Sequence, residues 1–240
     1  MGISKIAKVI RKMLPGHYCG AVIVAAGNAS RMGGIDKVMA ELGGEPMIVR
    51  TVRAFEKSEA IHEIVVVTRQ DLIVKITDLC AGFSKVKAVV AGGADRPESV
   101  RNGLSVLSNK VRWVAVQDGA RPLITEELIQ RTVRAAQTYG AAAPGVPVKD
   151  TVKIVQDGFV ESTPDRNCLQ AIQTPQVFDV DLLKGALEKA LTDNASITDD
   201  CSAVERIGMR VKIVEGDEKN MKITTPMDLK IAALFLEDTK

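Results

Sequence analysis

Aromatic residues are scarce, at 3% of a 240-residue chain. So few rings cannot build the stacking platforms on which proteins hold single-stranded nucleic acid. An excess of positive charge is missing too. Lys and Arg number 32 against 30 Asp and Glu, a formal net charge of +2, which excludes a broad nucleic-acid-coating face. The four cysteines, Cys19, Cys80, Cys168 and Cys201, are scattered without a CxxC pair, and His17 and His62 stand alone. That spacing excludes a structural zinc site. Scattered thiols in a chain of this size suit a reducing compartment, so the expected location is cytoplasmic. No apolar run approaches the ~18 residues of a membrane span, and no internal repeat or low-complexity segment is present.

What is present suffices for a folded core. The chain is 46% hydrophobic and 26% charged, the balance of a globular protein rather than a disordered one. Its 240 residues make one large domain, or one domain with an appendage, at roughly 150 residues per domain. The appendage is residues 1–17, which hold no acid and carry Lys5, Lys8, Arg11 and Lys12. Ile3, Ile6, Ile10 and Leu14 share one helical face. This reads as a basic amphipathic extension ending near Pro15-Gly16, packed on its own domain or lying in solvent. A membrane-surface or partner helix is the lesser alternative. Residues 18–240 read as a single domain.

From Gly20 onward, short apolar runs alternate with amphipathic stretches. Ala21 to Ala26, Ile64 to Thr68, Val86 to Val90 and Trp113 to Val116 read as strands buried on both faces. Helical stretches fall near 46–57, 70–81 and 98–108, and another follows Thr125, a capping residue with Glu126 and Glu127 in the first turn. Val211 to Val214 is a late strand, and Thr225-Pro226 opens a C-terminal helix. This order predicts an α/β fold with a mostly parallel sheet flanked by helices. One stretch breaks it. Residues 144–168 are β-rich, with Asp157-Gly158 at a hairpin turn. They read as a projecting β-arm that gains stability by pairing with another chain, or as a hairpin folded back on its own domain.

Ligands in such sheets bind at the carboxyl ends of the strands, so the loops after the apolar runs matter most. The first, Ala25 to Lys37, lacks both the GxGxxG and the Gly-Lys-Ser/Thr patterns. It is still a small-residue loop whose amides can approach an anion, with Arg31 and Lys37 adding positive charge. After the third run come Gly92-Gly93-Ala94-Asp95-Arg96-Pro97-Glu98-Ser99, a glycine turn opening a helix. After the fourth come Gln117-Asp118-Gly119-Ala120-Arg121-Pro122. Asp118 is placed to hold a metal or a substrate hydroxyl, and Arg121 to neutralise phosphate. Each loop alone could be a plain turn. Three phosphate-compatible loops on one sheet edge point to nucleotide binding.

Here a specific resemblance emerges. Ala25 to Lys37, Gly92 to Val100, Asp118 to Pro122, Pro147 to Thr151, Thr174-Pro175-Gln176, Ile197 to Asp200 and Asn220 to Pro226 occur in the order found in the 2-C-methyl-D-erythritol 4-phosphate cytidylyltransferases. The chain resembles that family from about Gly20 to its end. The resemblance implies a Rossmann-like fold of nucleotidyltransferase type. It implies transfer of CMP from CTP to methylerythritol phosphate in the non-mevalonate isoprenoid pathway, with Mg²⁺ on the triphosphate. Carried over by position, Arg31 and Lys37 are the catalytic residues. Arg166, Lys222, Asp118, Arg121, Thr151 and Thr174 are substrate-binding, and Asp118 is the candidate metal contact. Ala25, Ala26, Gly27, Gly93 and Ser99 form the cytidine pocket. The resemblance also implies a homodimer through the β-arm, with Thr151 and Arg166 completing the partner's site. Departures from the family pattern include Ala29, Asp36 beside Lys37, a shortened loop before Lys37, Ala94 and Gln117. Ribitol-5-phosphate cytidylyltransferase is the nearest alternative. A non-catalytic nucleotide-binding interaction protein is the alternative of another class.

Overall fold

The computed structural model describes residues 18–27 and 37–237, with Lys37 described through its backbone alone. The extension over residues 1–17 lies outside the described residues, as do residues 28–36.

Strand β1 (Cys19–Ala25) opens the domain. A short 3-10 helix (Lys37–Met39), the strands β2 (Glu41–Leu42) and β3 (Glu45–Pro46), and helix α1 (Met47–Lys57) come next. Strand–helix units follow: β4 (Glu63–Thr68) with α2 (Ile73–Cys80), β5 (Val86–Ala91) with α3 (Arg96–Val106), and β6 (Trp113–Asp118) with α4 (Glu126–Tyr139). Strand β7 (Ala141–Pro147) leads to β8 (Ile154–Gln156) and β9 (Phe159–Ser162), and the chain returns through β10 (Gln170–Ile172) and β11 (Gln176–Asp179). Helices α5 (Val180–Thr192) and α6 (Asp200–Arg206), strand β12 (Lys212–Glu215) and helix α7 (Pro226–Glu237) complete the described chain.

The main sheet runs β10-β7-β11-β6-β1-β4-β5, with β12 added beside β7. Strands β6, β1, β4 and β5 are parallel neighbours. The far side is mixed: β11 is antiparallel to both β6 and β7, β10 is antiparallel to β7, and β12 is parallel to it. The apolar runs of β4 and β6 are buried at every position, and that of β1 at all but Val24, because helices cover both faces. The run at Val86–Val90, expected to be buried on both faces, forms the edge strand β5 instead and is only half-buried, with Lys87 exposed. Alternate residues of β1 enter opposite cores. Ala21 and Ile23 pack with Ile48, Val52 and Phe55, whereas Val22 packs with Val65, Val100 and Leu104. Helix α3 lies close on its face because Gly103 carries no side chain. A Cβ there would come within 2.5 Å of Val22 and 2.8 Å of Val67.

Residues 144–147, read from the sequence as part of the projecting stretch, belong to β7. They pair with β10 and β12 inside the main sheet. The hairpin proper is β8 with β9, a separate two-stranded sheet. Asp157 and Gly158 turn it with φ of 51° and 84°, the left-handed backbone that a two-residue hairpin turn requires. Its apolar side chains face solvent, Phe159 being 80% exposed and Val160 59%.

Candidate active site

Because β1, β4, β5 and β6 are parallel, their carboxyl ends share one edge. A cleft of about 520 Å³ opens there, lined by Ala25 at the end of β1, Ala26 and Gly27 after it, Thr68 at the end of β4, and the loop after β5. The latter loop is held by its own hydrogen bonds. Gly93 N–H donates to Ser99 Oγ (3.1 Å), and that hydroxyl donates to the Asp95 carbonyl (2.8 Å). Asp95 caps α3 by accepting from Glu98 N–H (2.8 Å), and the Glu98 carboxylate accepts from Ala94 N–H (2.6 Å). Ala25, Ala26 and Gly27 leave room at the cleft wall, whereas a Cβ at Gly93 would come within 2.2 Å of the Glu98 side chain, and Ser99, which also lines the cleft, shapes the turn.

A charged cluster stands at the end of β6. Lys222 Nζ lies 2.8 Å from Asp118 Oδ2, Arg121 Nε 3.8 Å from the same oxygen, and Arg96 Nη2 3.7 Å from Asp118 Oδ1. Burial alone would push the Asp118 carboxyl up. Lys222, Arg96 and Arg121 outweigh it and hold the group below its ordinary range. Arg96 also reaches Asp200 Oδ2 at 2.8 Å. Burial pushes the Asp200 carboxyl up, and Arg96 only partly offsets that. Three cations thus face two carboxylates, an excess of positive charge suited to an anionic ligand.

The backbone sets this geometry. Thr174 Oγ1 accepts from Asp118 N–H (3.1 Å), so Thr174, 4% exposed, holds the Asp118 loop from behind. Arg121 is 8% exposed and donates through Nη1 to the Asn220 carbonyl (2.7 Å). Lys222 precedes α7, whose start is tied by Asp228. Its carboxylate accepts from Thr224 N–H (2.7 Å), Thr224 Oγ1 (2.8 Å) and Thr225 N–H (2.8 Å), and Asp228 N–H donates to Thr225 Oγ1 (3.2 Å). This is a reciprocal N-terminal cap.

The expected site residues divide accordingly. Ala25, Ala26, Gly27, Gly93, Ser99, Asp118 and Lys222 line one cleft, with Arg121 and Thr174 bonded to its charged wall. Arg31 lies outside the described residues, as does the Lys37 side chain. Thr151 and Arg166 are exposed, flanking the β8–β9 hairpin rather than lining this cleft. Arg166 Nη1 donates to the Lys149 carbonyl (2.8 Å). Arg96 and Asp200 carry no role in the sequence reading. A signal for Arg96 is present, since it directly follows a capping Asp95 on a glycine turn. Asp200 is masked by its neighbour, because Asp199 caps α6 in a capping box with Ser202. Among the described residues, no group of three or more His, Cys, Asp or Glu gathers to hold a metal ion.

Known proteins are similar to this chain in sequence and fold. The family model for 2-C-methyl-D-erythritol 4-phosphate cytidylyltransferase (IspD) matches residues 19–238. The protein of that name from Caldanaerobacter subterraneus subsp. tengcongensis is 47% identical over 225 residues, covering 90% of this chain and 97% of that protein. The one from Geobacillus kaustophilus is 46% identical over 219 residues, covering 90% and 96%. The crystal structure of 4-diphosphocytidyl-2C-methyl-D-erythritol synthase from Anaerococcus prevotii aligns with a TM-score of 0.85 at 33% identity, covering 94% of this chain and 99% of that one. With the motifs, the cleft and the relatives in agreement along nearly its whole length, this chain belongs to the 2-C-methyl-D-erythritol 4-phosphate cytidylyltransferase family.

Proposed function

We propose that the protein transfers CMP from CTP to 2-C-methyl-D-erythritol 4-phosphate, a nucleotidyltransferase step of isoprenoid precursor synthesis. The observation that carries this reading is the Lys222–Asp118–Arg96 cluster in the wall of a small-residue cleft. A phosphate oxygen of the acceptor attacks the α-phosphorus of CTP. The bond from that phosphorus to the oxygen bridging to the β-phosphate breaks, and pyrophosphate leaves with the electron pair. The attacking phosphate is already anionic at neutral pH, so no general base is needed. The barrier comes from repulsion between anions and from charge gathering at phosphorus, so positioning and positive charge supply the catalysis.

Arg31 and Lys37 take the role of stabilising charge at the transferring phosphorus. Lys222 and Arg166 orient the acceptor phosphate, with Asp118 positioning Lys222 and presenting an acceptor to a substrate hydroxyl. Arg121, Thr151 and Thr174 complete the substrate pocket. Ala25, Ala26, Gly27, Gly93 and Ser99 hold the cytidine through backbone groups and close fit. Magnesium is commonly held by one or two carboxylates, with substrate phosphates and water completing the shell. Asp118 lines the cleft, but its two oxygens already face Lys222, Arg121 and Arg96, so the ion would rest chiefly on the triphosphate oxygens and water. When bound, the ion offsets charge on the triphosphate.

The partner of the hairpin is a second copy of this chain. An isolated two-stranded sheet is marginal in water, and Ile154, Val155, Phe159 and Val160 are exposed on it. Thr151 and Arg166 then serve the partner's cleft. A cytoplasmic setting accords with four free cysteines. Among the described residues, no helix is long and apolar enough to cross a membrane.

The test supplies CTP, UTP or ATP with methylerythritol phosphate or ribitol phosphate and measures pyrophosphate. Release is expected with CTP and methylerythritol phosphate, and it should require magnesium. Silence with every pair overturns the enzyme reading, while preference for ribitol phosphate changes the acceptor.

A further inference from the structure

The segment before Lys222 is anchored by one buried side chain. Asn220 is 0% exposed and joins segments far apart in sequence. Its side-chain amide donates to the Thr174 carbonyl (2.9 Å) and to Gln173 Oε1 (3.4 Å). Its own carbonyl accepts from Arg121 Nη1 (2.7 Å), and its N–H donates to the Asp217 carbonyl (2.9 Å). Gln173 closes the ring, donating through Nε2 to the Asp217 carbonyl (2.7 Å) and accepting at Oε1 from Asp217 N–H (3.2 Å). Just beyond Lys222, Ile223 N–H donates to the Ala120 carbonyl (2.9 Å), and Ile223 is buried beside Leu42 and Met47.

These bonds share a destination. Ala120 and Arg121 belong to the loop that begins at Asp118. Thr174, whose carbonyl takes the Asn220 amide, accepts Asp118 N–H through its hydroxyl. Gln173 directly follows β10, which pairs with β7. From those two strands departs the segment carrying Thr151 and Arg166. One asparagine therefore ties together the Lys222 segment, the Asp118 loop and the base of that departing segment.

We infer that Asn220 is a positioning residue for the transfer reaction, acting through Lys222 by setting its ammonium against Asp118. This rests on the cytidylyl-transfer reading. The requirement is for a short planar side chain with two N–H donors aimed at two acceptors. An ionised aspartate has none and alanine has none. Substitution leaves the Thr174 carbonyl without this donor in a buried place and frees the Lys222 segment to shift. A displacement near 1 Å at a reacting centre costs on the order of 10²-fold in rate.

The experiment is a double-mutant cycle of Asn220→Ala with Lys222→Ala, read in the pyrophosphate assay with melting curves on every variant. Asn220→Ala is expected to lower kcat/KM by about 10²-fold and Asn220→Asp to match it. The double variant is expected to be no worse than Lys222→Ala alone, because Asn220 acts through that lysine. Losses that multiply overturn the inference, as does full activity in Asn220→Ala. Should Asn220→Ala fail to fold, Asn220→Asp, of the same size but without the two donors, takes its place in the cycle, with the same expected and contrary outcomes. An inactive wild-type protein overturns the function reading itself, and this inference with it; an active one with multiplying losses overturns this inference alone.

Discussion

Arg96 Nη2 lies 2.8 Å from Asp200 Oδ2, a carboxylate in a side chain only 1% exposed. The pair joins the start of α3 to the start of α6. Removing the cation would strand a buried charge, which costs about 3–5 kcal/mol. Arg96→Ala is therefore expected to lose stability on that scale in denaturant titration, and Asp200→Asn to lose less. A wild-type midpoint for Arg96→Ala would show that the pair contributes nothing.

Asp118 and Asp200 should give opposite pH signatures. The Asp118 carboxyl is held low when folded, so its contribution is present above the unfolded value of about 4. It is lost as pH falls through the folded value. The Asp200 carboxyl is held high, so its contribution is present at low pH and is lost as pH rises through the folded value. Asp118→Asn should thus flatten the acid slope of a melting series, while Asp200→Asn should gain on wild type as pH rises. Parallel curves for both variants would contradict these directions.

Arg31 and Lys37 are assigned by resemblance. Each alanine variant is expected to slow turnover by roughly 10²–10³, the usual cost of losing an electrostatic stabiliser. Steady-state kinetics decides. Undiminished turnover in Lys37→Ala would mean that the first loop places its catalytic lysine elsewhere.

The hairpin offers a test of assembly. Phe159→Ser removes the most exposed apolar side chain of the hairpin, and light scattering should show a dimer becoming a monomer with loss of activity. Arg166→Ala and Lys222→Ala should each be weak alone and recover activity when refolded together, since mixed dimers hold one intact site. A monomeric wild-type protein would remove the shared-site proposal.

The parallel half of the fold is legible in sequence because doubly buried strands are continuous apolar runs. The caps are legible too, with Thr125 accepting from Leu128 N–H (3.3 Å) as its place before Glu126 and Glu127 predicts. Strand β11 is not legible. It spans Gln176–Asp179, too short for periodicity, and begins with a glutamine and ends with an aspartate, both buried. Helix α5 is a further element outside those expected, although Asp179 caps it and Leu183, Ala186, Leu187 and Ala190 recur at helical spacing.

By itself, then, the sequence determines the strand–helix order of the parallel half, the loops at the carboxyl ends and the family. Each of these is written in local patterns of burial, caps and small residues. Which charges meet was decided by tertiary structure. Strand β11 slots antiparallel between β6 and β7, which carries Thr174 to Asp118 N–H and lets Gln176 Oε1 accept from Asp200 N–H (3.0 Å). The placing of Asp200 against Gln176 and of Asn220 against Thr174 follows from that insertion. Ion pairs and buried amides depend on distance in space, and no local periodicity records which distant segment will lie alongside.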